Sequence, residues 1–95
     1  MQISVYAKSK QYFVARPVNN ELVLVPLKSK VADMTQLFTL NELGHFIWNE
    51  IQPNATIDSI IEKITAEYEV ESDLARADLI AFLNELSSFM FKDQE

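Results

Sequence analysis

The chain changes its hydrophobic period near residue 41. Before that point the apolar positions read as strands. Tyr12-Phe13-Val14-Ala15-Arg16 is aromatic and β-branched, and Pro17 stops it. Asn19-Asn20 marks a turn, and Glu21 to Leu27 (ELVLVPL) forms a second run, so the two predict a hairpin. Pro26 cannot donate to a ladder and belongs near a strand end or on an edge. A charged loop, Lys28–Asp33, leads to a third run, Thr35 to Leu40 (TQLFTL). Its alternation places Gln36, Phe38 and Leu40 on one face and Leu37 and Thr39 on the other.

From Asn41 the spacing becomes helical. Asn41 is a good N-cap, with Glu42 beside the positive helix end. Leu43, Phe46, Ile47 and Ile51 follow, Trp48 widens the stripe, and Gln52-Pro53-Asn54 closes the helix. Thr56 caps the next helix, in which Ile57, Ile60, Ile61, Ile64 and Tyr68 make the clearest amphipathic pattern of the chain. Ser72 or Asp73 caps a third, where Leu79, Phe82, Leu83, Leu86 and Met90 recur at the same spacing. The expected fold is therefore α+β and winged helix-turn-helix-like: a three-stranded antiparallel sheet over about residues 12–40, then a three-helix bundle over about 42–91. The single glycine, Gly44, lies inside the first predicted helix, where it costs about 1 kcal/mol against alanine. Close packing against another element is the expected reason for it.

Composition narrows the function. The 95 residues, 48% of them apolar, suit one domain spanning 1–95. No cysteine is present, which removes disulfides, thiolate metal sites and thiol nucleophiles and favours a cytoplasmic protein. The start, MQISVYAKSK, lacks the apolar core of a signal peptide. The longest apolar run, Leu22 to Leu27, is too short to span a membrane. One histidine, His45, and no cysteine leave no expected metal or cofactor site. One glycine cannot build a phosphate cradle. The acids Glu62, Glu67, Glu69 and Glu71 read as a solvated helix face rather than as an acid–base pair, so no catalytic residue is expected and the protein is not read as an enzyme.

Charge argues against nucleic acid. Residues 1–40 carry five bases and two acids, or +3, whereas residues 41–95 carry three bases and twelve acids, or −9. A winged helix would present those helices to phosphates, and counterion release needs several basic contacts there. A binding module remains. The third predicted strand has no Pro, Gly or charge to blunt its edge. The third helix is apolar beyond its core stripe. With Leu79 at 0° and about 100° per residue, Ile80 and Phe91 fall near 100–120°. That second stripe either lines a groove beside the sheet or is buried by the bundle.

Three ordered segments resemble the PqqD-like family (coenzyme PQQ synthesis protein D). Phe38-Thr39-Leu40-Asn41-Glu42-Leu43-Gly44-His45-Phe46-Ile47-Trp48 is similar to its Leu-Asn…Ile-Trp segment. Thr56-Ile57-Asp58-Ser59-Ile60-Ile61 is similar to a helix start of the family. Tyr68-Glu69-Val70 with Ala77-Asp78-Leu79-Ile80-Ala81-Phe82-Leu83-Asn84-Glu85-Leu86 resembles its ending. Gln52-Pro53-Asn54-Ala55 replaces the family's Asp-Gly turn. The resemblance implies a non-catalytic recognition element for ribosomally made precursor peptides. Such an element binds the leader as an added strand and presents it to a modifying enzyme, commonly a radical S-adenosylmethionine enzyme. Carried over, Gln36, Leu37, Phe38 and Thr39 would supply the edge, and Arg76, Leu79, Ile80 and Leu83 would line the groove. Asn41, Trp48 and Asp78 are read as fold-defining. The alternatives are a winged-helix nucleic-acid binder and an oligomerisation domain that pairs its bare edge in a homodimer. No membrane partner is expected.

Overall fold

A computed structural model describes residues 2–28, 31–32 and 37–91. The β-branched run after Tyr12 forms β1 (Phe13–Val18), and the ELVLVPL run forms β2 (Glu21–Lys28). They pair antiparallel from Phe13↔Pro26 to Val18↔Glu21. The hairpin turns at Asn19, whose φ of 59° is left-handed, a conformation asparagine tolerates better than most residues. Pro17 does not end β1 as the sequence suggests. The strand runs through it to Val18 because β1 is an edge, where a missing N–H leaves no ladder bond unmade.

β2 is the central strand. Its other side pairs with β3 (Val31–Ala32) through Leu27 and Lys28, and with β4 (Phe38–Leu40) through Leu22 to Leu24. Pro26 lies between these two pairings, where no described partner asks for its N–H. The expected three-stranded antiparallel sheet is thus β1, β2 and β4, with the two-residue β3 added inside the predicted loop. Positions 35 and 36 of the predicted third strand lie outside the described residues.

Three helices follow: α2 (Glu42–Glu50), α3 (Ile57–Tyr68) and α4 (Ser72–Met90); an N-terminal helix, α1 (Ile3–Ser9), precedes the sheet. Leu22, Leu24 and Leu40 of the sheet join Ile47, Ile51, Ile60, Ile64, Leu79, Leu83 and Leu86 in one buried cluster. Phe89 of α4 pins the helix to the sheet. Its ring stacks on Phe38 at 4.9 Å between centroids and meets Phe13 at 5.3 Å.

The caps agree with the sequence at two of three helices. The Asn41 Oδ1 accepts the Gly44 N–H at 2.8 Å. Thr56 and Ser59 close a reciprocal box at 2.9 and 3.0 Å. Neither Ser72 nor Asp73 caps α4; Glu71 holds that position without a side-chain bond. Asn41→Ala is expected to cost about 1 kcal/mol, the usual worth of an N-cap side chain. Urea denaturation of the two proteins measures it.

The sequence gives no expectation of α1. Its Ile3 and Tyr6 are buried, and the Tyr6 hydroxyl donates to the Leu83 carbonyl at 3.3 Å. The Tyr6 ring meets Phe91 edge-on at 5.6 Å. α1 therefore covers the Phe91 end of the second stripe on α4. Phe91 is half-buried there rather than free on an open flank of α4.

Just after α1, the Lys10 Nζ donates to the Ile51 carbonyl at 2.9 Å and sits 5.0 Å from the centre of the Trp48 ring. It thereby satisfies the carbonyl at the C-terminal end of α2 and makes a cation–π contact. Burial holds its pKa below the ordinary 10.5. Between that lowered value and 10.5 the unfolded chain binds more protons than the folded one, so Lys10 makes stability rise with pH across this window. Lys10→Met keeps the stem over Trp48 and is expected to cost about 1–2 kcal/mol at neutral pH. It should also remove that alkaline rise, which paired urea titrations at neutral and alkaline pH would show.

Candidate functional site

α4 runs beside β4, and α2 starts directly after β4, so the three elements enclose a cleft of about 290 Å³. Phe38, Thr39 and Leu40 form one wall and Asp78, Ala81, Phe82 and Glu85 of α4 form the other. Asn41, Leu43, Gly44 and Ile47 close the end. Gly44 is what lets α2 fit there. A Cβ on it would lie 3.1 Å from the Phe82 Cε1 and 3.2 Å from the Leu40 Cβ, tighter than ordinary contact. The packing reason expected for this glycine is thus the cleft itself.

The strand wall is also a sheet edge. β4 pairs with β2 on one side, and among the described residues no strand lies on the other. The opposite edge of the sheet, β1, is blunted by Arg16 and Pro17. A second hollow, lined by Val5, Lys8, Ser9, Tyr12 and Phe91, lies where α1 meets the end of α4 and offers no strand edge.

The site residues expected from the sequence divide. Phe38 and Thr39 line the cleft. Leu37 precedes β4 and is half exposed at 50%, and Gln36 lies outside the described residues. Leu79 and Leu83 have no exposed surface; they belong to the core and cannot line an open groove. Arg76 is exposed and pairs with Asp58 of α3 at 3.1 Å. Ile80 is half-buried and away from the cleft. Asp78, read as fold-defining, is exposed and stands on the cleft wall, whereas Asn41 caps α2 and Trp48 is buried, as that reading requires.

The physical cause is rotational. Taking Leu79 as 0° and about 100° per residue, Asp78, Ala81, Phe82 and Glu85 fall between about −60° and −160°. The cleft thus uses the flank of α4 opposite Ile80 and Phe91. The signal that points there is Phe82. It recurs with the core leucines yet keeps polar neighbours at 78 and 85, and it is only half-buried.

No charged or polar side chain is buried among the described residues, and no described helix is long and apolar enough to cross a membrane. Burial, and after it the nearby charges of Glu42 and Glu67, raises the Tyr68 pKa above its usual 10.0. That group packs against Phe46, away from the cleft.

No curated protein matches this chain. Among solved structures it is similar to TbiB1 in complex with the TbiA(beta) leader peptide: 27% identity, a TM-score of 0.65, 81% of this chain and 84% of that one covered. The family model described as coenzyme PQQ synthesis protein D (PqqD) matches residues 21–88. That span takes in the hairpin's second strand, β4, α2 and α3 and all of α4 that lines the cleft, and the chain belongs to the PqqD family.

Proposed function

We propose that the chain binds the leader of a ribosomally made precursor peptide as a strand added to β4. The leader's side chains enter the cleft against α4. The observation that carries this reading is the edge of β4, unpaired among the described residues, beside the half-apolar wall of Phe82 and Ala81. The structural neighbour, which is in complex with a leader peptide, supports it. Backbone hydrogen bonds along Phe38–Leu40 set the register, each contributing about 0.5–1.5 kcal/mol. Leu37 continues the edge at its N-terminal end. The cleft, small for a metabolite but wide enough for one or two side chains, sets specificity.

The role is non-catalytic. The leader is held so that the attached core peptide stays at high effective concentration at a modifying enzyme, of the radical S-adenosylmethionine type. The protein works in the cytoplasm, where that chemistry and the absence of cysteine agree. The test is to titrate isotope-labelled protein with the leader half of a short peptide encoded beside its gene. Saturable amide shifts are expected at residues 37–40 and 78–85. A dispersed spectrum that stays unchanged in both segments would overturn the reading.

A further inference from the structure

The cleft is charged on one side only. Its wall on α4 carries Asp78 four residues before Phe82 and Glu85 three residues after it, both exposed. Among the described residues no lysine, arginine or histidine lines the cleft. Among the described residues the ion pair on α4 is Arg76–Asp58, turned toward α3, and it leaves both carboxylates unneutralised. The surrounding half of the chain deepens the negative field, since residues 41–95 carry twelve acids against three bases.

We propose that the peptide this cleft selects carries lysine or arginine on both sides of an apolar residue, on one face of its strand. This rests on the peptide-binding reading above and adds the chemistry of the ligand. Asp78 and Glu85 are seven residues apart, about 10.5 Å along the helix. Bases two positions before and two after a central residue share a strand face and stand about 13 Å apart. Their long stems lie along apolar surface while the charged ends reach outward, which absorbs the difference. The central apolar side chain then meets Phe82, and the two cations meet the two carboxylates. An acidic peptide in the same register brings like charges together with no base on the wall to answer them.

Two synthetic, capped heptapeptides test this. Both have a central leucine in a β-branched frame; one carries lysines two positions away on each side, the other glutamates. Titrated into the labelled protein at low salt, the lysine peptide is expected to bind about tenfold more tightly, with shifts at residues 38–40 and 78–85, from two exposed charge pairs gained and two repulsions avoided. The difference should shrink as salt shortens the screening length to about 3 Å at 1 M. The double variant Asp78→Lys, Glu85→Lys should reverse the preference. Equal binding of both peptides in the cleft, or tighter binding of the glutamate peptide, overturns the charge selection and leaves the peptide-binding reading standing. No shift in either segment with either peptide removes both.

Discussion

Leu83→Ala is expected to destabilise the fold by about 2–5 kcal/mol, through loss of apolar burial and the cavity left behind. Leu83 has no exposed surface and sits among Leu79, Leu86 and the inner face of the sheet. Its backbone carbonyl also receives the Tyr6 hydroxyl, so a shift of α4 at this point loosens α1 as well. A domain of this size is stable by roughly 5–15 kcal/mol, so the change removes a substantial part of it. The melting temperature should fall by about 4–8 °C for each kcal/mol lost. Urea denaturation followed by circular dichroism gives the number. A loss under about 1 kcal/mol with an unchanged m-value would place Leu83 outside the core and return it to the groove that the sequence suggests.

That variant separates what the pattern of residues encodes from what it does not. Periodicity reports which residues turn inward. It put Leu79, Leu83, Leu86 and Met90 on one stripe, and all four are buried. The same logic found α2 and α3 with their caps at Asn41 and Thr56, and the hairpin with its turn at Asn19. It could also demand a packing partner for Gly44, though not that the partners would be Phe82 and Leu40. What periodicity lacks is direction around the helix. A second apolar stripe on α4 has the same signature whether a groove or another helix lies against it.

Here the deciding element was α1, which the sequence hides. Seven residues with two buried side chains and no capping side chain give too short a pattern to stand out. Once α1 covers Phe91, the free flank of α4 is the one with Asp78, Ala81 and Glu85, residues that alone read as an ordinary solvated face. Half of the site was legible for a different reason. The bare edge of β4 follows from residue types, since Pro, Gly and charge are missing between Leu37 and Leu40. The helix wall follows only from the docking of four helices.

The helix wall therefore gives the sharpest test of the site, at Ala81. This residue is exposed on α4 and points into the cleft between Asp78 and Glu85. Ala81→Trp fills the space opposite Phe38 without disturbing a buried contact. Its cost in stability should stay within about 0.7 kcal/mol, the helix-propensity difference between the two residues. Leader binding, however, should weaken roughly 10- to 100-fold. The peptide loses the burial of one apolar side chain, worth about 1.5–3 kcal/mol, and each 1.4 kcal/mol is tenfold. Ile80→Ala, one position earlier on the opposite flank, is the control. It should leave affinity unchanged even if it lowers stability slightly, because Ile80 does not line the cleft. Isothermal titration with the leader peptide measures both. Unaltered affinity in Ala81→Trp would take the peptide out of the cleft, and a loss confined to Ile80→Ala would move the groove to the other flank of α4.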